Sequence, residues 1–252
     1  MLNLRNRWLG LLTASLLGSS DPTLAQQGGD LQAQILYASQ TEDTNRLITL
    51  VQNLKVQINP ETPDLNLRYH LAHAEYRLSR LERATRAKEA EAALDDCVSQ
   101  LKAILRQDSN SAEAMILQAA CYLDLADSRN LQSTIMRGRA MDRLATANNL
   151  LPHNPRLVFV QSLADLAGAK PGSPGAQHAF EELKSAAQLF DQSSATSVDT
   201  PGWGHAEAYM MVGRELRMRG DVLGARNWIE KSLIVAPDYK EAQRQLELIQ
   251  RS

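Results

Sequence analysis

The chain has few aromatic residues, 5% of the total, and only two cysteines. Aromatic side chains favour strands, whereas alanine and leucine favour helices and are frequent here. Two cysteines allow a single disulfide, so no disulfide framework replaces a hydrophobic core. The composition therefore predicts a helical protein that folds around an apolar interior.

An excess of charge of one sign is also absent. The 27 lysines and arginines nearly balance 29 aspartates and glutamates, which leaves a net charge of −2. Nucleic-acid-binding proteins concentrate basic residues on one face, so the sequence predicts no nucleic-acid partner. A helix that spans a bilayer needs about 20 predominantly apolar residues in a row. Beyond the N-terminal segment no apolar run approaches this length, so we expect no integral membrane span in the mature chain.

The N-terminal segment has the layout of a secretory signal peptide. Arg5 and Arg7 precede an apolar run at 8–18, and residues 23–25 (TLA) offer a small-x-small cleavage site. A membrane anchor is the alternative, but the run is too short to span a bilayer. We expect residues 1–25 to be removed and the protein to be periplasmic or secreted.

A repeated helical unit is clearest at residues 206–237. Its first half contains Tyr209, Gly213 and Leu216, and its second half contains Ala225, Ile229 and Pro237. This spacing resembles the tetratricopeptide repeat (TPR), which has an aromatic-x2-Leu-Gly-x2-Tyr segment, then Ala-x3-Phe, then Pro. Between the halves, Gly220-Asp221 predicts a turn, because glycine ends one helix readily and aspartate caps the next.

Three further units follow from the same register. Their predicted core positions are Leu71, Ala72, Leu78, Cys97, Leu101 and Ile104; Met115, Ala119, Tyr122, Ala140, Leu144 and Ala147; and Ala179, Leu183 and Ala186. The resemblance implies an all-α, right-handed α-solenoid of about four units, with extra N-terminal helices and a C-terminal capping helix. We expect a helical segment at 26–62 and a repeat domain at 63–252. The Asn154-Pro155-Arg156 segment and the glycine-flanked Trp203 are also similar to those of uncharacterised secreted bacterial repeat proteins.

The family uses one face of each first helix to line a concave groove, and the register assigns partner-binding residues to that face. They are Tyr69, His73, Tyr76, Arg77, Arg156, Phe159, Met210, Arg214 and Arg217. Arginine forks onto carboxylates, so we expect a protein or peptide with an acidic or C-terminal carboxylate end near Arg214 and Arg217. The alternative is that inserts or N-terminal helices fill the groove and leave the arginines in surface ion pairs.

Two features have alternative interpretations at this level. Cys97 and Cys121 fall on adjacent helices of neighbouring units, where they form either a disulfide or, as the sequence favours, two buried free thiols. Trp203 is either an exposed anchor for a partner or, as favoured, a side chain packed over its loop against the last two units.

Residue patterns that support catalysis, a cofactor or a metal are not found in the sequence. His70 and His73 share a predicted helix face, but two ligands are too few for a structural zinc site. Phosphate-cradling loops and nucleophile motifs are missing. We therefore expect a protein-binding scaffold rather than an enzyme. The alternative is a small-molecule-binding accessory of a transport system, since an apolar groove suits a hydrophobic ligand.

Overall fold

The structure is a computed structural model that describes residues 22–59, 64–193 and 201–251. Those residues form eleven α-helices and one short 3₁₀ turn at Asn130–Gln132, with no strand among them. The predicted signal peptide falls largely on residues 1–21, which lie outside the described residues. The helices are α1 (Pro22–Gln40), α2 (Thr44–Gln57), α3 (Leu65–Glu82), α4 (Ala87–Gln107), α5 (Ala112–Ser128), α6 (Ser133–Leu150), α7 (Pro155–Gly168), α8 (Pro174–Ser193), α9 (His205–Met218), α10 (Val222–Val235) and α11 (Lys240–Gln250).

Neighbouring helices pack in pairs, and this confirms the predicted helical-repeat solenoid. The most extensive contacts are within α3–α4, α5–α6, α7–α8 and α9–α10, the four predicted units. Helices α1 and α2 pack on α3, and α11 packs on α9 and α10. Each unit buries its apolar face against the next, which is how such stacks build a continuous core.

The last unit shows why the repeat positions carry small residues. A Cβ atom on Gly213 would lie 2.5 Å from Cγ1 of Ile229 and 3.0 Å from the Ala225 carbonyl oxygen, so only glycine fits this crossing. Gly220 has φ 85°, the left-handed conformation expected at a helix end. The Asp221 side chain then accepts a hydrogen bond of 2.8 Å from the backbone N–H of Gly224 and caps α10. The predicted turn is confirmed.

Core positions predicted from the register are buried in the three earlier units. All fifteen residues assigned to the three earlier units are less than 9% exposed. Each helix turns one stripe of such residues inward, at the three- and four-residue spacing of an amphipathic helix. The main cluster of buried residues runs from α3 to α9, and smaller clusters lie under α1–α2 and under α11.

A disulfide joins Cys97 on α4 to Cys121 on α5, with the Cα atoms 6.8 Å apart. The sequence favoured free thiols, because it does not fix the distance between the two helices. In the structure both cysteines are fully buried at the boundary between the first two units. The bond therefore links neighbouring units rather than the two helices of one unit.

We expect replacement of both cysteines (Cys97→Ala with Cys121→Ala) to lower the free energy of unfolding by about 3 kcal/mol. The bond closes a loop with a sequence separation of 24 residues, and constraint of the unfolded chain by a loop of this size contributes about that much. Urea denaturation of the oxidised protein and the variant measures the difference. Alkylation without reductant, read by mass spectrometry, is the check on the bond itself, and two alkylated thiols would contradict it.

Glu75 on α3 is an acidic side chain buried under the N-terminal helices, with 1% of its side chain exposed. The Nζ atom of Lys55 on α2 lies 3.0 Å from its Oε1 atom, and Lys55 also bonds Asp96 on α4. Loss of hydration on burial outweighs the attraction of Lys55 and raises the pKa of Glu75 to about 8. The folded protein therefore holds a proton on Glu75 at a pH where the unfolded chain does not.

We expect Glu75→Gln to become increasingly stabilising, relative to the wild type, as the pH rises from 5 to 9. Between the unfolded pKa and about 8 only the folded state binds this proton, so the wild type loses stability as the pH rises. Glutamine mimics the protonated carboxyl and removes this loss, which is on the order of 3 kcal/mol over the range. Thermal unfolding at several pH values measures it. Glu89→Gln, at an exposed position, is the control, and identical pH profiles for the wild type and Glu75→Gln would contradict the prediction.

Candidate functional site

The loop at residues 201–204, called the plug loop here, enters the space between the first helices of the repeat units. Its Trp203 is 2% exposed. The indole Nε1–H donates a hydrogen bond of 2.9 Å to the Tyr69 hydroxyl on α3. The Pro201 carbonyl oxygen accepts a hydrogen bond of 2.6 Å from Nη1 of Arg156 on α7. The plug loop is thus held from two sides, as a bound peptide would be.

Trp203 is packed in the interior, as the sequence favoured, but it also contacts α3 of the first unit, which the sequence did not predict. Its ring stacks on His73 with 6.0 Å between centroids, and the Arg77 guanidinium lies 5.9 Å from the indole centroid. Gly204, the next residue, has φ 105°, and a Cβ atom there would lie 2.5 Å from the Phe190 ring. Position 204, where the loop turns into α9 next to Trp203, therefore requires glycine.

A buried ion pair joins α3 to α9 beside the plug loop. Nη2 of Arg77 lies 2.6 Å from Oε1 of Glu207, with 8% and 11% of the two side chains exposed. Oε2 of Glu207 accepts a hydrogen bond from the backbone N–H of Gly204. Nε of Arg77 donates to Nε2 of His73 at 3.0 Å. Both charges are consequently paired and hydrogen-bonded, as buried charges need to be.

His73 is held as a neutral imidazole by this arrangement. Burial lowers the pKa of His73 well below its usual value, and the neighbouring positive charge of Arg77 lowers it further. Since Nε2 accepts the hydrogen bond from Arg77, the ring proton resides on Nδ1. A neutral histidine in this position packs against the indole and does not offer a charge to a partner.

The buried Arg156 side chain is paired with a second carboxylate, which is partly exposed. Its Nε and Nη2 atoms donate to the two carboxylate oxygens of Glu113 on α5, at 2.8 and 2.7 Å. Asn154 caps α7 and also bonds Glu113, which fixes the carboxylate in place. A bidentate pair of this kind leaves only Nη1 of Arg156 for the plug loop.

The nine residues predicted to line an open groove are mostly interior, and that part of the prediction requires correction. Seven of them are buried: Tyr69, His73, Tyr76, Arg77, Arg156, Phe159 and Met210. The plug loop contacts Tyr69, His73, Arg77 and Arg156, whereas Met210 packs in the cluster under α11. Arg214 and Arg217 are partly exposed. Arg217 donates to Gln245 on α11. The groove is partly filled, but by the plug loop rather than by an insert or the N-terminal helices, and Arg214 and Arg217 form no ion pair among the described residues.

One cavity of about 400 Å³ remains beside the plug loop, and we call it the concave cavity. It is bounded by α3, α5, α7 and α9, with Trp203 in its wall. Its floor is apolar and comes mainly from α5 and α7. The floor and wall residues are Ala120, Leu123, Phe159, Val160, Leu163, Ala164, Leu166, Ala167, Trp203 and Met211.

The mouth of the concave cavity carries arginines and acidic residues in pairs. Arg83 lies 3.0 Å from Asp124, and Arg80 lies 4.0 Å from the same carboxylate. Arg137 on α6 lies 2.7 Å from Asp127. These three arginines are exposed by 39–47%, so each pair contributes little to stability and remains accessible.

Arg214 differs from the other arginines of the concave cavity. Within the described ranges it makes no ion pair, and its Nε atom is buried without a hydrogen-bond partner. The sequence placed Arg214 on this face together with Tyr76 and Phe159, and all three line the cavity. The sequence-based assignment did not include Arg80, although Arg80 follows Arg77 by three residues and therefore lies on the same face of α3.

Other candidate centres are not supported by the part of the chain that the structure describes. In it, no group of three histidine, cysteine or acidic side chains is arranged to hold a metal ion. None of the described helices combines the length and apolarity needed to cross a membrane.

Comparison with solved structures agrees with this architecture. No protein-family model matches the chain, and no curated protein sequence matches it. The crystal structure of a thermophilic TPR protein from Thermus thermophilus superposes with a TM-score of 0.57 at 17% identity, covering 90% of this chain and all of that one. The fold is a TPR-like helical solenoid. At this identity the likeness establishes architecture alone.

We expect Trp203→Ala to lower the free energy of unfolding by about 3–5 kcal/mol, the usual cost of removing a buried aromatic side chain. Trp203→Phe keeps a ring but removes the donor to the Tyr69 hydroxyl, and we expect a loss of about 1 kcal/mol beyond the change in size. Urea denaturation measures both. Trp228→Phe on α10 is the matched control. A cost below about 1 kcal/mol for Trp203→Ala would show that the plug loop does not occupy the inner face in solution.

Proposed function

We propose that the chain is an extracytoplasmic adaptor that binds a protein partner at the mouth of the concave cavity. The observation that carries this proposal is the cavity itself, an apolar depression ringed by exposed charged pairs on a TPR-like solenoid. Protein interfaces combine a buried apolar centre with a polar rim in this way. An anchoring side chain of the partner fits the floor, while the arginines and aspartates of the mouth meet its flanking charges.

Two features support an extracytoplasmic location. The first residues carry the n-region, apolar core and small-x-small site of a signal peptide. The disulfide between Cys97 and Cys121 is of a kind that persists in oxidising compartments and is rare in the cytosol. We infer a periplasmic or secreted mature chain that begins at Gln26.

Reversing two arginines at the mouth tests the adaptor proposal. A tagged chain carrying Arg83→Glu and Arg137→Glu is compared with the wild type as bait in affinity capture from native periplasmic extract. We expect recovery of the specific partner to fall at least about tenfold, because the rim charges would then repel the groups they attract. Quantitative mass spectrometry measures recovery.

Arg226→Glu with Arg251→Glu serves as the matched control. Both arginines are exposed and lie outside the cavity. Arg226 pairs with Glu230, and Arg251 pairs with Glu247. Equal recovery by the two double variants would show that the mouth is not the protein-binding surface. A bait that is absent from the osmotic-shock fraction would overturn the extracytoplasmic location.

A second function, binding of a small molecule as an accessory of a transport system, is supported by the closure of the inner face. The plug loop leaves no continuous groove for a long peptide along the described helices. The remaining volume of about 400 Å³ lies within the range of small-molecule sites, which are mostly apolar with a few polar groups that fix orientation. The concave cavity meets that description at its apolar floor, whereas its mouth carries most of its charged residues.

A further inference from the structure

We propose that the concave cavity binds a single-chain amphiphile with one carboxylate, such as a medium-chain fatty acid, whose carboxylate pairs with Arg214. The inference rests on the second proposed function and names its ligand class. The ligand occupies the floor, which an anchoring side chain of a protein partner would also use, and it contacts Arg214 rather than the arginines of the exposed mouth pairs.

The absence of uncharged polar side chains such as serine and asparagine from the described lining indicates that the buried part of the ligand is apolar. Among the described residues, those that line the cavity include no serine, threonine, asparagine, glutamine or histidine. The Tyr76 hydroxyl oxygen accepts a hydrogen bond from Arg80, and the Trp203 N–H donates to Tyr69. A peptide brings an N–H and a C=O with every residue, and each needs a partner when it is buried. An acyl chain has no such groups and fits this lining better than a peptide does.

A single negative charge is indicated by the charge balance. Four arginines and three acidic residues are among the described residues that line the cavity, an excess of one positive charge. Arg80, Arg83 and Arg137 already face Asp124 or Asp127. Glu215, the third acidic residue, forms no ion pair with Arg214. One guanidinium, Arg214, has no ion pair among the described residues, so the site suits a monoanion better than a phosphate ester with two charges.

Arg214 provides a specific contact for a carboxylate. Its Nε–H is buried and has no acceptor among the described residues, and an unsatisfied buried donor is costly. It follows Met211 by three residues on α9, and both side chains border the cavity. A carboxylate at this point would accept from the guanidinium while its chain covers Met211, Leu163 and Phe159.

Isothermal titration calorimetry of the purified mature chain tests the inference with octanoate, octan-1-ol and octylamine, three ligands of equal chain length. We expect octanoate to bind at least about tenfold more tightly than octanol, and octylamine to bind most weakly, because only octanoate can pair with Arg214. We expect Arg214→Gln to reduce octanoate affinity roughly tenfold or more and to leave octanol affinity unchanged. Arg217→Gln, three residues along α9 and outside the cavity lining, should bind octanoate as the wild type does.

The outcomes separate the ligand class from the function. Equal binding of octanoate and octanol to the wild type would overturn the carboxylate while leaving an apolar ligand site. No binding of any of the three would overturn the small-molecule function as well. Tighter binding of N-acetyl-leucyl-leucine than of octanoate would assign the cavity to a peptide C-terminus. The ligand series uses the wild type, so the test stands even if Arg214→Gln does not fold.

Discussion

The buried ion pair between Arg77 and Glu207 is the contact on which the shape of the molecule depends. Helical-repeat stacks are held mainly by contacts between neighbouring units, but this pair joins the first predicted unit to the fourth. Two charges removed from water stabilise a fold only when each has additional partners. His73 and the backbone N–H of Gly204 supply them. The pair thereby fixes how far the stack curves.

Closure of the stack decides which side chains are surface and which are interior. With α3 and α9 held together, Trp203 lies between them and makes contacts that would otherwise be open to a partner. A second contact across the ends, Arg244 with Glu42, lies at the surface with half of the arginine exposed. Exposed pairs contribute little, so the buried pair and the tryptophan carry the constraint. The concave cavity is what remains of the inner face.

Local spacing was sufficient to predict the helices and much of the core. The crossing at Gly213, the turn at Gly220-Asp221 and the buried stripes all follow from residues within one or two helical turns of each other. The contacts between the plug loop and the first helices of the units were not predictable in the same way. The hydrogen bond from Trp203 to Tyr69 spans 134 residues, and no periodicity in the sequence records it. The register correctly placed Tyr76, Phe159 and Arg214 on one face, but only tertiary packing determines that the first two are covered.

The contact between the first and fourth units also bears on how this chain can change in length. An open solenoid can gain or lose a repeat by duplication or deletion, since each unit touches only its neighbours. Here an added unit between α3 and α9 would move Arg77 away from Glu207 and leave two uncompensated charges where the ion pair was. The number of repeats is therefore constrained by the contacts of Arg77 with Glu207 and of Trp203 with Tyr69, and the fold has a defined interior in place of the modularity of an open solenoid.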